Sequence, residues 1–490
     1  MPPKGAIRVT FDPRVMGWDA EFVDRARLGL GRWLTGDTVG SASIPTVARL
    51  EQDVRVAGGV PGFVASLGKG LLSLRQERRT YPVTTEVGIT KRLSVRLTVP
   101  IVRVATRARL QLASKGANLG LNPLLAGVSG ADGRYTDFFT QFDSTLAGLQ
   151  RNIDAGMYGC SPGGPCAARD SVTAWHAVRD ALHRTVYGVG QTGSPFMPID
   201  TSDGGRGIDT TVVRIQRALA ATYGIPGFGD TFLLPHDSLS AEAMQLAILE
   251  PSIGFGYRAQ PFRNSFRYAL GDIEIAAKFR VAGGRPDARY AAAVVALGRL
   301  PTGAVDSAED WLRQSIGDHQ PDLEGRLIQE LTVADRLWLN LAIRAGTQRP
   351  GTRVRRVAPF DAILVPFAAT ADLAWDPGDY AAVDFAPLYR FAPQFAAGLT
   401  AGYWTKARDH YSFRSPQDST DLATRLGAPT SASVLDQGTS ERRLQLGVAV
   451  SYVAPEVEGG FSIQQTVTGA GVTPAAAVFR IVLRASWNFF

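Results

Sequence analysis

The sequence predicts an all-β membrane protein: an antiparallel transmembrane β-barrel of about twelve strands, or fourteen as the alternative count, with a helix-containing insertion. Three observations predict it. First, in Phe479-Arg-Ile-Val-Leu-Arg-Ala-Ser-Trp487-Asn-Phe-Phe490 the odd positions read Phe, Ile, Leu, Ala, Trp, Phe, while the even ones carry Arg480 and Arg484. Period two marks a strand with one apolar and one polar face. An apolar face ending in aromatic residues suits a closing strand that meets lipid, with the aromatics at the interface. In one departure, Phe490 lies beyond the Trp487-x-Phe489 register. Second, the alternation recurs over segments as long as the roughly 9–11 residues of a tilted membrane strand, longer than ordinary soluble strands. Third, very short turns alternate with long loops, the rhythm of periplasmic turns and extracellular loops. On the last strand alone, an edge strand of a soluble β-protein is the competing reading.

Composition fits. A soluble chain of 490 residues would divide into several domains, whereas one large barrel need not. No apolar run approaches the roughly 18 residues of a membrane helix, which rules out helical spans and says nothing against strands. The formal charge of +7 comes from 52 basic and 45 acidic residues. No basic run is interleaved with aromatics, so no nucleic-acid partner is expected. The start, Met-Pro-Pro-Lys-Gly-Ala-Ile, lacks the apolar core of a signal peptide. A barrel must cross the inner membrane, so the expectation is a mature or recombinant form with the signal removed. Cys160 and Cys166 cannot make a four-ligand metal site; a small local disulfide in an oxidising envelope is expected.

In chain order, Ala6–Phe11 reads as a first strand. Residues 12 to 68 carry weak helical stretches and suit a loop or a lumen plug. Tyr81, Val83, Val87 and Ile89 then alternate with polar or small residues, and after a turn at Thr90-Lys91 so do Leu93, Val95, Leu97, Val99 and Ile101. Beyond Pro100 the phase inverts, with Val102, Val104, Ala108 and Leu110 set against Arg103, Arg107 and Arg109. A proline with a phase change predicts a bulge. The hairpin pattern of residues 86–97 repeats at 330–341 and more loosely at 388–399.

Residues 113 to 267 have helical period in Thr136–Gln150, in Ser171–Val186 and in a stretch capped by Asp209 and stopped by Gly224. They are too long for a plain loop and form a predicted helix-rich insertion, at the extracellular side or in the lumen. The first division is thus residues 1–112, and the remaining strands occupy 268–490. There Ile273, Ile275, Ala277, Phe279 and Val281 face one way, and Glu274, Lys278 and Arg280 the other. A turn at Gly283–Pro286, hairpins at 323–345, 380–411 and 443–467, and the closing strand follow. A strand pair within 347–379 would raise the count to fourteen.

The stretches Glu86-Val-Gly-Ile-Thr-Lys-Arg-Leu-Ser-Val-Arg-Leu-Thr-Val-Pro100, Leu270-Gly-Asp-Ile-Glu-Ile-Ala-Ala-Lys-Phe279 and Leu300-Pro-Thr-Gly303 resemble a family of outer-membrane barrels. It is the phenol-degradation meta-pathway and hydrophobic-compound transport group, distantly similar to long-chain fatty acid transporters. The resemblance covers about 81–112 and 268–490, and the helical insertion departs from it. It implies passive uptake of apolar small molecules through a barrel wall or lumen.

Chemistry-bearing motifs are sparse. Gly188-Val-Gly-Gln-Thr-Gly193 lacks the flanking strand and capped helix of a dinucleotide site and reads as a loop. Asp200-Thr-Ser-Asp203 lacks a full calcium-ligand loop and reads as a solvated turn. His410 and Ser412 fall on one face of a predicted ascending strand, toward the lumen, where a barrel lipase would not place them. An enzyme is therefore not expected, nor is a cofactor or metal. The polar strand faces direct Glu86, Arg92, Arg96, Glu274, Lys278, Arg280, Glu330, Arg336, Arg344, Arg443, Arg480 and Arg484 inward. They are either a self-satisfying salt-bridge network or an electropositive constriction favouring anions. The expected function is a passive outer-membrane transporter or channel for small solutes, hydrophobic ones among them. The alternatives are a surface or envelope-assembly protein anchored by its barrel, and a barrel enzyme. Expected partners are the lipid bilayer, the barrel-assembly machinery through the C-terminal strand, a small-molecule solute, and in the second reading further copies of the chain.

Overall fold

The computed structural model describes residues 1–42, 44–161, 163–258, 264–283, 288–312, 314–454 and 456–488. Twelve antiparallel strands close a barrel. They are β1 (Ala6–Phe11 and Arg14–Trp18), β2 (Lys69–Gly88), β3 (Leu93–Ala113), β4 (Ser265–Leu270 and Ile273–Ala282), β5 (Tyr290–Leu300) and β6 (Asp322–Val333). The second half is β7 (Leu337–Gln348), β8 (Tyr380–Ala392), β9 (Phe395–Lys406), β10 (Glu441–Val453), β11 (Val457–Ala470) and β12 (Ala477–Asn488). Each pairs with its chain neighbour, and β12 closes on β1, from Ala6 opposite Asn488 to Gly17 opposite Ala477. Closure bonds every strand on both sides, which a strand in hydrocarbon requires. Phe489 and Phe490, and most of the expected turn at 283–286, lie outside the described residues.

The barrel has one end of short turns and one of long connections. Residues 89–92, 334–336 and 393–394 turn at the first end; residues 19–68, 114–264, 301–321, 349–379 and 407–440 cross the second. The first end is periplasmic by the usual rule, and the termini of the described chain sit there. Outward-facing Leu97, Ile275, Phe385, Leu399, Val448 and Ile481 are exposed around the wall and form a belt that only lipid can cover. Near the short turns Tyr290, Tyr389, Phe391, Phe395 and Trp487 are exposed as well, an aromatic girdle at the inner interface. A closed barrel with such a belt belongs in a bacterial outer membrane.

The phase change at Pro100 is not a bulge. β2 and β3 run in unbroken register from Lys69 opposite Ala113 to Gly88 opposite Ser94. The chemistry of the two faces changes instead. Up to Ile101 the outer face of β3 is apolar and the inner one polar. Above it the outer face carries Arg103, Arg107 and Arg109, while Val102, Val104, Ala108 and Leu110 are buried inside. The hairpin thus leaves lipid near Ile101 and continues as a wall of a water-soluble cap, where apolar residues belong inside.

Pro82 and Pro100 face each other across the hairpin at this boundary. Each bonds through its carbonyl to the strand on its far side, Pro82 to Asp12 N–H at 3.2 Å and Pro100 to Gly271 N–H at 2.8 Å. Neither has an N–H to give in return. The breaks therefore fall in the neighbours: β1 between Phe11 and Arg14, β4 between Leu270 and Ile273.

A strand pair does occur within 347–379, at Gly351–Arg356 and Thr370–Asp376, but it pairs with His410–Phe413 in a separate three-stranded sheet outside the barrel. The barrel count stays at twelve because these segments lie in the long connections. The helices are α1 (Pro45–Gly58), α2 (Ala131–Asp154), α3 (Ala167–Tyr187), α4 (Asp203–Arg217), α5 (Ala241–Leu249) and α6 (Pro416–Leu426). α1 packs against α3 and α4, so this part of residues 12–68 joins the cap rather than forming a plug. α4 starts earlier than its expected Asp209 cap: the Ser202 hydroxyl accepts the Gly205 N–H at 3.0 Å. α2, α3 and α4 share an aromatic core in which Phe142 of α2 and Phe228 stack at 4.6 Å. Cys160 and Cys166 are disulfide-bonded at its edge. The upper β2–β3 hairpin supplies a second core, with Leu72, Leu74 and Leu110 in one apolar cluster with α1 residues Val47, Leu50 and Val54.

Unheated protein should migrate faster than boiled protein on a denaturing gel, and Phe479→Arg or Leu483→Arg should cost roughly 2–4 kcal/mol each near the midplane, reducing the fast form; unchanged folding would remove the lipid assignment. In the cap, buried Asp53 meets Arg184 at 2.7 Å, and burial, opposed by that arginine, leaves its carboxyl above the ordinary range. Arg184→Met should destabilise the cap by roughly 1–3 kcal/mol at neutral pH. The folded form holds the Asp53 proton more tightly than the unfolded one, so the penalty should shrink as pH falls through the carboxylate range. Thermal unfolding followed by helical circular dichroism would read this, and a pH-independent difference would contradict it.

Candidate functional site

Strand alternation gives the barrel a polar interior, and that interior is hollow. A cavity of about 1080 Å³ runs from Met1 at the short-turn end to Ser315–Asp318 at the other. A second, of about 760 Å³, lies against β7 to β12. Both are lined by Arg326, Glu330, Arg443, Arg480 and Arg484, so they form one lumen. Small inward residues, among them Ala386, Thr400, Ala449, Gly460 and Ser462, give the second cavity its room.

Many wall charges are neutralised across strands. Arg480 donates to both Asp12 oxygens at 2.7 and 2.9 Å, and Arg484 donates to Glu458 at 2.9 Å. Arg344 pairs with Asp384 at 3.0 Å. Glu86 accepts the Ser94 hydroxyl at 2.6 Å. The densest knot is Arg299, which reaches Glu274 at 3.0 Å, Asp322 at 3.1 Å and Glu324 at 2.9 Å. Tyr380 donates to Glu324 at 2.6 Å, and Arg326 also pairs with Glu324.

Other cations make no direct ion pair among the described residues. Among the described residues, Arg96 makes no ion pair, and its Nε and one terminal nitrogen are buried without a partner. Arg443 lies over the face of Trp404 at 5.0 Å, and its Nε is likewise unpartnered. Lys278 and Glu330 line the first cavity, and Arg280 lies one inward step below Lys278. Two residues expected in the lumen are elsewhere. Arg92 is exposed in the 89–92 turn, where the Thr90 hydroxyl accepts its N–H at 3.1 Å. Arg336 is exposed in the turn after Val333, which Ala334 and Asp335 close with positive φ of 51° and 57°. Both strands end before alternation could turn these arginines inward.

Above the lumen, a vestibule of about 610 Å³ is lined by Tyr380, Lys406, Arg442 and Val472. The Tyr380 and Trp404 rings stack at 4.7 Å between vestibule and lumen. Gly346 makes this stack fit, since a Cβ there would lie 2.3 Å from the Tyr380 ring.

The described residues of the 301–321 connection fold inward and cover the first cavity. The Asp272 carboxylate, turned in at the β4 break, accepts Gly303 N–H at 2.7 Å and Asp318 N–H at 3.1 Å. Arg78 donates to the Ser315 and Ile316 carbonyls at 2.8 and 2.7 Å, and Ile316 is buried against Val102 and Val104. On the outer side Asp306 pairs with Arg355 at 2.7 Å. Burial alone would raise the Asp306 carboxyl, but Arg355 holds it below the ordinary range, so this anchor is lost only as pH falls below that range.

His410 and Ser412 are not on the lumen face. They sit in the outer three-stranded sheet, with His410 3.4 Å from Asp436, because β9 ends at Lys406 before the chain reaches them. Gly188–Gly193 turns against the end of α6, where Arg425 C=O accepts the Gln191 N–H at 2.7 Å. Asp200 lies beside the cap of α4 and pairs with His236 at 3.0 Å, and this pairing raises the histidine pKa. The sequence reading missed Tyr380, Trp404, Arg299, Asp272 and the partners Asp12, Asp384 and Glu458. Alternation places these on faces, but only the register between strands distant in sequence shows which charges meet.

No protein-family model matches the chain, and neither does any curated protein sequence. Among solved structures, an outer-membrane channel from Pseudomonas putida F1 is similar with TM-score 0.43 and 6% identity, covering 99% of this chain and 96% of that one. The monoaromatic hydrocarbon channel CymD gives TM-score 0.29 and 8% identity over 99% and 88%. The toluene transporter TodX of Pseudomonas putida gives 0.27 and 10% over 100% and 90%. Such weak likenesses carry no argument about activity; the geometry of this chain has to supply it.

Asp272→Ala should free residues 301–321 from the wall. Losing an acceptor for two N–H groups costs roughly 1–3 kcal/mol, so amide exchange at Gly303 and Asp318 should quicken about tenfold or more while the barrel stays resistant to unheated detergent. Unchanged exchange would show that the loop does not depend on this carboxylate.

Proposed function

We propose that the protein is a passive outer-membrane channel for small solutes, and that its interior favours anions. The observation that carries this is the hollow lumen lined by the guanidinium groups of Arg96 and Arg443, which make no direct ion pair among the described residues and keep nitrogens without a hydrogen-bond partner. A lumen serving only as a rigid anchor would gain by pairing these charges or replacing them, since an unpaired buried cation is costly. A carboxylate or other small anion in transit meets them in a low-dielectric wall, where they attract it more strongly than in water. The Trp404 and Tyr380 rings at the outer constriction give a flat solute an apolar surface beside these charges, which suits aromatic acids. In this reading solutes enter at the vestibule, pass the ring stack and descend along the small-residue wall. The closing strand β12 would be offered to the barrel-assembly machinery during insertion, and no step of covalent chemistry is assigned to the chain.

Reconstituted into liposomes, the protein should admit small solutes, and in a salt gradient its current should favour anions. Arg96→Glu with Arg443→Glu should reverse or abolish that preference, and Trp404→Ala should raise the current. Liposomes tight to both ions and aromatic carboxylates would overturn the transport reading, and a preference indifferent to both arginines would overturn the selectivity.

A further inference from the structure

The outer face of the β2–β3 hairpin, just above the lipid belt, carries a cluster of arginines that the transport reading does not use. Arg75 stands directly opposite Arg107, and Arg109 follows on the same face opposite Ser73. All three are exposed and make no ion pair among the described residues. Like charges directly opposite each other in a sheet are destabilising unless something neutralises them. One acid shares this face, Glu77, and it is already shared by Arg79 at 2.7 Å and Arg103 at 2.6 Å.

The height of the cluster identifies its occupant. Ile101 and Val83 belong to the belt, exposed to lipid; Arg103 is the next outward residue above Ile101, and Arg107 and Arg109 follow. The Arg103 guanidinium lies 5.5 and 5.7 Å from the rings of outward-facing Phe266 and Tyr268, the aromatic company expected at a membrane interface. The cluster therefore lies at the headgroups of the outer leaflet, on the long-loop side. A glycolipid bearing phosphates fits there: its acyl chains would lie on Ile101, Val83 and Leu97 while its phosphates reach the guanidinium forks, which match phosphate bidentately.

The geometry points to a binding site for the phosphorylated glycolipid of the outer leaflet on the outer face of β2 and β3, centred on Arg75, Arg107 and Arg109. The site is independent of whether the lumen conducts. The full chain in dodecyl maltoside would be titrated with bis-phosphorylated lipid A, with its dephosphorylated form and with phosphatidylglycerol, and bound lipid counted by native mass spectrometry. Bis-phosphorylated lipid A should bind in preference to both others, and Arg75→Gln with Arg107→Gln and Arg109→Gln should weaken it about tenfold or more. Heat-modifiable migration and helical circular dichroism should be unchanged; if the triple variant misfolds, Arg107→Gln alone should weaken binding measurably. Equal binding of the dephosphorylated form or of phosphatidylglycerol, or a folded variant binding as tightly as the original, would overturn the assignment. Complete displacement by inorganic pyrophosphate at equal concentration would also overturn it, since that marks a general anion patch rather than a lipid site.

Discussion

In hydrocarbon no water meets an unpaired N–H or C=O, and the rest of this structure depends on that constraint. It forces closure of β12 on β1 and keeps the wall regular where it meets lipid. It also decides where the wall can fail. Pro82 and Pro100, lacking N–H groups, face each other at one height, so two neighbouring strands lose bonds there. Both break at that level, and both breaks turn a carboxylate inward: Asp12 holds Arg480, and Asp272 holds residues 301–321. The same pair of prolines thus marks the end of the lipid-facing wall and supplies the fixings of the lumen.

Above that level the solvent changes and the faces exchange roles. One uninterrupted hairpin is apolar outside and polar inside in the membrane, then charged outside and apolar inside in the cap. The buried upper face gives the helices something to pack on, so the cap is continuous with the barrel wall through Leu72, Leu74 and Leu110. The channel reading and the lipid-site reading occupy opposite faces of this wall, and the same alternation serves both.

Much of the barrel was legible because period two survives wherever one face meets lipid and the other meets the lumen. The closing strand, the short turns and the absence of helical spans follow from local pattern. The three main helices of the insertion were legible too, though Ser202 rather than Asp209 caps α4. The misreadings have a common physical origin. Inversion of phase after Pro100 looks the same whether a bulge turns the chain or the solvent changes around a straight one. Arg92 and Arg336 continue their patterns by one residue, but each sits in a turn that ends the strand. Strand-like patterns at 351–356 and 370–376 do not reveal whether they join the wall. The candidate site was legible as a set of faces and not as a set of pairs: Arg480 could be directed inward from sequence, whereas Asp12, 468 residues away, could be matched to it only by closure.

The claim on which the account turns is that the wall leaves lipid between Ile101 and Arg103 without changing register. Single cysteines placed at positions 95, 97, 99, 101, 103, 105, 107 and 109, with Cys160 and Cys166 remaining bonded, would be tested in intact proteoliposomes with a membrane-impermeant maleimide added outside. The account predicts protection at 95 to 101 and labelling at 103 to 109, with one step and no alternation along this single face. Protection that continues at 103 to 109, as expected if the odd positions beyond Pro100 turned inward, would restore the bulge and contradict it.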